Sequence, residues 1–150
     1  MSQSLAQIYV HIVFSTKDRY PIIEADIESQ LHAYMADTIK RSGGIPYLIN
    51  GTADHIHILS SLPRTMAFSK YVEDIKRNSS RWIKTKAVDY EKFAWQNGYG
   101  AFSVSSSKID SVQSYIAGQK EHHRTVTFQD EFVAFLEKYG VEYNPEYLWD

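Results

Sequence analysis

The segment "NGTADHIHILSSLP", residues 50–63, carries two histidines separated by one residue inside a run that predicts a buried β-strand. Successive side chains of a strand point to opposite faces, so His55 and His57 leave one face while Ile56 and Ile58 leave the other. The two imidazole rings can therefore converge on one ligand. The residues alone leave two alternatives open, a metal or phosphate site and a pair of partly exposed strand histidines that share no ligand.

The order of strand and helix patterns along the chain predicts the fold class. Runs of β-branched and aromatic residues indicate strands, and apolar residues at helical spacing indicate helices. The predicted strands span residues 7–16, 45–51, 55–62 and 101–105, and the predicted helices span 24–41, 66–86, 108–123 and 128–139. This β-α-β-β-α-β order, followed by additional C-terminal helices, predicts an α+β fold with a ferredoxin-like (RRM-like) antiparallel sheet. We expect the helices to pack on one face of the sheet and the other face to be free for a ligand.

Length and composition exclude several classes of protein. With 150 residues, of which 43% are hydrophobic, the chain is long enough for one domain, spanning residues 1–150, and too short for two. Because it has no cysteine, a bound metal would need imidazole, carboxylate, amide or water ligands. No apolar run approaches the roughly 20 residues of a membrane helix, which predicts a soluble protein without a membrane partner. The N-terminal residues lack the features of a secretory signal, so we expect a cytoplasmic location.

The net charge of −2 conceals two segments of opposite sign. Residues 64–86 contain seven basic and two acidic residues, a balance of +5, and residues 121–150 contain seven acidic and two basic residues, a balance of −5. The basic segment could therefore face nucleic-acid phosphates. The candidate DNA contacts are Lys17 and Arg19 near the N-terminus and Lys70, Arg77, Arg81 and Lys84 on one face of the helix predicted over 66–86. A solvated helix face without a ligand is the alternative.

A tyrosine and a glutamine lie one helical turn apart in the helix predicted over 108–123. Tyr115 and Gln119 are at positions i and i+4, so they share one flank of that helix. A phenol, with a reference pKa of about 10, is a poor nucleophile near pH 7 unless a cation or a base assists it. The amide oxygen of Gln119 is a plausible third metal ligand beside His55 and His57. A boundary tyrosine with a solvated neighbour is the alternative.

These motifs, in this order and spacing, resemble the single-tyrosine HUH transposases of hairpin-ended bacterial insertion sequences. "HIH" matches the family's motif of histidine, hydrophobic residue and histidine, and "YIAGQ" matches its motif of tyrosine, three residues and glutamine. The likeness extends over nearly the whole chain. Its further segments are "HIVFSTKDRYPI", "DHIHIL", "IKRNSS", "WQNGYGAFSVS" and "YIAGQKEHH".

The resemblance implies an enzyme that cleaves and rejoins single-stranded DNA at hairpin-marked ends. Tyr115 would be the catalytic nucleophile that forms a 5′-phosphotyrosine, and His55, His57 and Gln119 would hold magnesium or manganese. No nucleotide cofactor would be needed, because the phosphotyrosine bond conserves the energy of the broken bond. The resemblance also implies a homodimer in which the tyrosine helix of one chain completes the histidine site of the other chain.

The remaining polar residues near these motifs carry weaker predictions. His123 falls near the apolar stripe of its helix, where packing or hydrogen bonding is expected, and His11 and His32 are expected to be structural. Asp54 could orient the ring of His55 or cap the turn before it.

Two other functions are compatible with the sequence. The first is a ferredoxin-like nucleic-acid-binding module whose sheet stacks bases and whose histidines do no chemistry. The second is a domesticated relative of the transposases that processes genomic hairpins without moving its own gene. The first alternative does not explain why Tyr115 and Gln119 lie at helical spacing.

Overall fold

A computed structural model describes residues 2–150 and contains the predicted order of elements. The strands are β1 (Tyr9–Ser15), β2 (Pro46–Gly51), β3 (His55–Ser61) and β4 (Gly100–Val104). The helices are α1 (Ala25–Arg41), α2 (Phe68–Lys84), α3 (Ile109–Ala117), α4 (Gln119–His122) and α5 (Phe128–Lys138), with short 3₁₀ helices at Lys17–Arg19, Val88–Tyr90 and Ser106–Lys108. The strand order is β2-β3-β1-β4, and every neighbouring pair is antiparallel. The α+β, ferredoxin-like prediction is confirmed.

The larger hydrophobic core lies between the sheet and the helices α1 and α2. Ile12 and Phe14 of β1 and Ile56 and Ile58 of β3 are fully buried in this core, where they join helix residues such as Leu31. Because side chains alternate along a strand, the residues between them point to the opposite face. The histidines of β1 and β3 therefore face away from α1 and α2.

That opposite face is covered by α3, α4 and α5, so the expectation that it would be free for a ligand was wrong. One apolar cluster on this face contains Val13, Phe102, Phe128, Phe132 and Leu136. A second cluster joins Leu59 and Val104 of the sheet to Ile116 of α3. An amphipathic helix must bury its apolar stripe, and these apolar strand residues offer α3 and α5 the matching surface.

The helix predicted over residues 108–123 is interrupted at Gly118. Gly118 has φ −88° and ψ 12° and separates α3 from α4. Its backbone N–H donates to the carbonyl oxygens of Ser114 and Tyr115, both at 3.2 Å, which ends α3. The interruption changes the direction of the residues that follow, and Gln119 is fully buried against the sheet.

Gly51 keeps the β2–β3 connection close to the first histidine of β3. A Cβ atom at Gly51 would lie 2.1 Å from the carbonyl oxygen of His55, which no side chain can tolerate. The backbone N–H of Thr52 donates to the same carbonyl at 3.1 Å. The tight turn therefore fixes the backbone of His55 directly.

The last residues described bind back to the loop that precedes β4. The backbone N–H groups of Asn97 and Gly98 donate to the carbonyl oxygen of Asp150 at 3.1 and 3.2 Å. The Trp149 ring packs on Phe128 and Phe132, with centroid distances of 6.3 and 5.9 Å. These contacts hold α5 over the sheet.

Both of the longest helices, α1 and α2, have 17 residues and carry charged faces. Among residues 2–150, no helix combines the length and the apolar character that crossing a membrane requires.

Candidate active site

The two histidines of β3 are held in fixed orientations by their Nδ1 atoms. His55 and His57 are both 0% exposed. His55 Nδ1 lies 2.7 Å from Oδ1 of Asp54, so of the two predicted roles of Asp54 the orienting one is found. His57 Nδ1 lies 2.7 Å from Nε2 of His11, which has the expected structural role. The Nε2 atoms of both rings are thus left to face the space beneath α3, α4 and α5.

The structure brings Tyr115 and Gln119 into this same space, and both come from the chain that supplies the histidines. Gln119 Oε1 lies 2.9 Å from His55 Nε2. The ring of Tyr115 is half-buried, and its centroid lies 5.8 Å from that of His57. The four residues predicted for the site are therefore neighbours within one chain, whereas the resemblance implied that the tyrosine would come from a partner.

A carboxylate that the sequence analysis missed lies at the centre of the cluster. Glu131 of α5 is only 3% exposed, and its Oε1 lies 2.8 Å from His57 Nε2 and 3.6 Å from His55 Nε2. Its other oxygen, Oε2, accepts hydrogen bonds from the Tyr115 hydroxyl and, at 3.0 Å, from Nε2 of Gln119. One carboxylate therefore links the histidines to the tyrosine and the glutamine.

The sequence contains a signal for Glu131. Phe128, Phe132 and Phe135 form the apolar stripe of α5, and Glu131 falls inside that stripe at helical spacing. A carboxylate on the buried side of a helix is costly unless it is paired, so its position indicates partners in the fold. The sequence could not identify those partners, because the face on which α5 packs is set by long-range contacts.

Two further histidines reach Glu131 from the end of α4. His123 was expected to pack or form hydrogen bonds; its Nδ1 lies 2.6 Å from the carbonyl oxygen of Val126, and its Nε2 lies 3.1 Å from Oε1 of Glu131. His122 Nε2 lies 3.4 Å from the Tyr115 hydroxyl and 3.3 Å from Oε2 of Glu131. His32 lies on α1, outside this cluster.

The surroundings determine the charge of each group. Burial alone would raise the pKa of Glu131, but hydrogen bonds from His123 and His57 hold it well below the usual range. Burial lowers the pKa of His11 to about 3 and that of His57 to about 4. Burial and the neighbouring Glu131 raise the pKa of Tyr115 above its ordinary value. Burial alone would lower the pKa of His123, but its hydrogen bond to Glu131 raises it. Near neutral pH the cluster thus combines an ionised Glu131, neutral rings at His11 and His57 and a protonated phenol.

This donor set fits a divalent metal ion. One ligand atom from each of His55, His57, His123 and Glu131 lies within 4.8 Å of the other three. Neutral imidazoles and an ionised carboxylate are the forms that bind metals. His123 Nε2 is buried 3.1 Å from Oε1 of Glu131, so the ring and the carboxylate are close enough to share one ion.

Comparison with known families identifies the chain. The family described as "Transposase IS200 like" matches residues 4–119, which include His55, His57, Tyr115 and Gln119. The chain belongs to the IS200-like transposase family. The matched region ends before His123 and Glu131, so the family match does not cover these two residues of the transposase.

Two solved structures share the fold of this transposase. A crystal structure of a candidate transposase from Deinococcus radiodurans R1 is 19% identical, with a TM-score of 0.61, covering 79% of this chain and 98% of that one. The structure of a REP-associated tyrosine transposase bound to a REP hairpin is 14% identical, with a TM-score of 0.60, covering 84% of this chain and 76% of that one. At these identities the likeness shows the fold alone. No curated protein sequence matches the chain.

The basic residues predicted to contact DNA are not equally available in the transposase. Lys70 and Arg77 form ion pairs with Asp74 at 3.1 and 2.8 Å, whereas Arg81 and Lys84 are exposed. All four lie on α2, which packs on the sheet face opposite the histidine cluster. Near the N-terminus, Lys17 is exposed, and the guanidinium of Arg19 lies 5.3 Å from the centre of the Trp149 ring.

A pocket of about 400 Å³ connects the tyrosine of the transposase to solvent. Its polar lining residues include Tyr115, His122 and Glu131, and its apolar lining residues include Val112 and Phe135. A ligand entering this pocket would meet the Tyr115 hydroxyl before it reached the buried histidines.

Proposed function

We propose that the chain is a metal-dependent single-strand DNA transposase that cleaves and rejoins DNA at hairpin-marked ends through a 5′-phosphotyrosine. One observation carries this proposal. The Tyr115 hydroxyl, the histidines His55 and His57 and the amide of Gln119 face one space that opens to solvent beside the tyrosine. A nucleophile and a set of metal-binding groups are the components that phosphodiester transesterification needs.

In the proposed reaction, the oxygen of Tyr115 attacks the scissile phosphorus. The bond from phosphorus to the 3′ oxygen breaks, and the phosphate stays joined to the tyrosine and to the 5′ end of the downstream strand. The hydroxyl proton moves to Oε2 of Glu131, to which it is already hydrogen-bonded, and the departing 3′ oxygen takes up one proton. A 3′ hydroxyl later reverses the attack, so no nucleotide cofactor is needed.

His55, His57 and Gln119 would hold magnesium or manganese in this proposal. The bound ion would stabilise negative charge on the phosphate oxygens. Asp54 and His11 hold the two rings through their Nδ1 atoms, which keeps both Nε2 atoms directed into the site.

The proposed substrate is single-stranded DNA that carries a hairpin. Family membership supports it, and one protein of the same fold has been solved with a REP hairpin. The proposed phosphate contacts are Lys17, Arg19, Lys70, Arg77, Arg81 and Lys84. Arg81 and Lys84 are the strongest of the four candidates on α2, because Asp74, which neutralises Lys70 and Arg77, does not offset their charges.

The homodimer with tyrosines exchanged between chains remains a prediction. The exposed segment Ser105–Lys108 connects β4 to α3 and is the one through which an exchanged helix would have to pass. Because Tyr115 already lies beside the histidines of its own chain, a site completed within one chain needs no such exchange.

The covered sheet weakens the alternative of a base-stacking module. Bases could not stack on the strands unless α3 and α5 moved away. A second alternative is a domesticated relative that does not move its own gene. The DNA next to the gene distinguishes it from a mobile transposase, because a mobile copy requires hairpins near both of its ends.

The proposal is tested by trapping the covalent intermediate. A single strand taken from the DNA next to the gene, labelled at its 3′ end, is incubated with protein and manganese and run on a denaturing gel. The parent should retain the label as a protein adduct, and Tyr115→Phe should not. Tyr139→Phe, which alters a tyrosine of the same pocket, is the matched control and should still form the adduct. An adduct that persists in Tyr115→Phe would exclude Tyr115 as the nucleophile.

A further inference from the structure

The helix that carries Tyr115 ends on a side chain from the sheet. The last four carbonyl groups of any α-helix have no partner inside the helix. In α3, two of them accept from the backbone N–H of Gly118. The other two, at Ile116 and Ala117, accept from Nδ2 of Asn50 at 2.9 and 3.3 Å. A residue of β2 therefore completes the C-terminus of α3.

The other end of the same amide binds the segment after Gly118. Oδ1 of Asn50 accepts from Nζ of Lys120 at 3.0 Å. The ammonium of Lys120 also donates to Oε1 of Glu28 on α1 at 2.5 Å. An ammonium can only donate and a carbonyl oxygen can only accept, so these neighbours allow one orientation of the amide. Asn50 is thus bound to α3 through its nitrogen and to α4 through its oxygen.

The residues that Asn50 contacts are next to the two polar residues of the site. Ile116 directly follows Tyr115, and Lys120 directly follows Gln119. Asn50 is also the register partner of His57 on β3, and directly opposite residues of an antiparallel pair lie on the same face of the sheet. One side chain therefore connects the strands that carry the histidines to both sides of the Gly118 junction.

Neither helix has another contact of this kind to fix its direction at the junction. The Ile116 side chain is fully buried against Leu59 and Val104, but apolar contacts are non-directional and tolerate rotation of a helix. The α4 helix has only four residues, too few for a helix to be stable on its own. The hydrogen bonds of Asn50 supply the directional contact that the apolar packing lacks.

We propose that Asn50 is a positioning residue of the transposase, one that holds Tyr115 and Gln119 against the histidines by binding both sides of the Gly118 junction. This inference rests on the proposed function, in which Tyr115 is the nucleophile. Asn50 acts through the backbone of α3 and through Lys120, and its own amide takes no part in the reaction. A displacement of a reacting group by about 1 Å can slow a reaction about 100-fold, so loss of this contact should reduce the rate of attack.

Two substitutions of Asn50 separate its hydrogen bonds from its shape. Asn50→Asp retains the shape and the oxygen that accepts from Lys120, but an ionised carboxylate cannot donate to the carbonyl groups of α3. Asn50→Ala removes both contacts. At saturating hairpin DNA, each variant should form the Tyr115 adduct at least about tenfold more slowly than the parent, with a hairpin Kd within about twofold of the parental value. Asn78→Ala, an asparagine of α2 on the other side of the sheet, is the matched control and should react at the parental rate.

A measurement without DNA reports the position of the tyrosine directly. The ring centroids of Tyr115 and His57 lie 5.8 Å apart, so their ring protons should give a nuclear Overhauser effect in the parent. The effect should be lost in Asn50→Asp and Asn50→Ala and kept in Asn78→Ala. The backbone amides of α3 should also exchange hydrogen faster in both Asn50 variants, while those of α1 keep their parental rates.

A loss of global stability alone would not produce this pattern, because it leaves the contact intact in the molecules that are folded. A parental rate of adduct formation, or a retained Overhauser effect, in Asn50→Asp and Asn50→Ala would overturn the inference. If the parent itself formed no adduct, the proposed function would fail, and the NMR comparison would still decide whether Asn50 positions Tyr115.

Discussion

The Tyr115 hydroxyl donates a hydrogen bond to Glu131, the same carboxylate that contacts the imidazole of His57 through its other oxygen. Burial and the negative charge of Glu131 raise the pKa of Tyr115, so the tyrosine is protonated and weakly nucleophilic in this arrangement. A cation bound by the carboxylate would reduce that effect. The pKa of Tyr115 therefore depends, through Glu131, on the total charge of the histidine cluster.

Glu131→Gln should lower the pKa of Tyr115 in the metal-free protein. A neutral amide does not oppose the phenolate charge, so the pKa of Tyr115 should fall toward its ordinary value, although the contribution of burial remains. The measurement is a pH titration by NMR of protein labelled at the tyrosine Cζ atoms, with the Tyr115 signal assigned by its absence from Tyr115→Phe. A pKa that stays at the parental value would show that Glu131 does not control this tyrosine.

His55→Ala and His57→Ala should each abolish cleavage while much of the hairpin binding remains. Both rings lie in the metal-binding cluster, whereas DNA affinity depends mainly on phosphate contacts elsewhere. Gel-shift and cleavage assays on the same hairpin strand measure the two properties. His32→Ala changes a histidine outside the cluster and should cleave normally. If His55→Ala or His57→Ala cleaved the strand at the parental rate in limiting metal, that histidine would be excluded as a metal ligand.

Mixing two inactive variants tests which chain supplies the tyrosine. His57→Ala and Tyr115→Phe should each be inactive alone. A heterodimer that exchanged its tyrosine helices would contain one site with both lesions and one intact site, and would regain activity. The predicted homodimer should therefore make the mixture active once subunits exchange. A verified heterodimer that stayed inactive would instead support a site completed within one chain, in which Tyr115 remains beside its own histidines.

The metal-free protein should lose stability as the pH falls from about 6.5 toward about 4. Burial lowers the pKa of His11 to about 3 and of His57 to about 4, so below pH 6.5 the unfolded chain binds more protons than the folded one. The stability that the neutral rings contribute is complete above 6.5 and declines below it, by up to about 1.4 kcal/mol per pH unit for each ring. Urea unfolding across this range should give a shallower dependence for His11→Gln. If the free energy of unfolding of His11→Gln depended on pH as steeply as that of the parent, the lowered pKa of His11 would be contradicted.

Lys76→Met should destabilise the fold although it lies far from the cluster. The ammonium of Lys76 donates to the carbonyl oxygens of Gln96, Asn97 and Gly98 at 2.5, 3.3 and 2.8 Å. Removing these donors should cost about 1–3 kcal/mol in the free energy of unfolding. Lys84→Met, at an exposed position of the same helix, should change it by less than about 0.5 kcal/mol. Chemical denaturation of both variants checks the difference.

Sequence patterns were sufficient where the interaction was local. The period of two in β3 puts His55 and His57 on one face, and the structure has this pair in the predicted relation because it depends only on the geometry of its own strand. The prediction that Tyr115 and Gln119 share one continuous helix was wrong, because Gly118 interrupts it; the two side chains instead meet at Glu131.

The sequence was insufficient where long-range packing decides the arrangement. The interruption at Gly118 changes the direction of His123, which a continuous helix would have left near the apolar stripe. Glu131 reaches the cluster because α5 packs on the histidine face, and amphipathicity predicts that a helix packs without specifying on which surface. The sequence does support one inference about this residue: a carboxylate inside the apolar stripe of α5 needs a buried partner, and the histidines are candidates for it.

The position of α2 has a consequence for the layout of the substrate. Arg81 and Lys84 lie on the far side of the sheet from Tyr115, so a duplex stem held by these residues cannot also reach the nucleophile. The strand would have to pass around an edge of the sheet, either β2 or β4. Cleavage should then occur at a phosphate separated from the stem by several unpaired nucleotides, and shortening that spacer should abolish cleavage while leaving the stem bound.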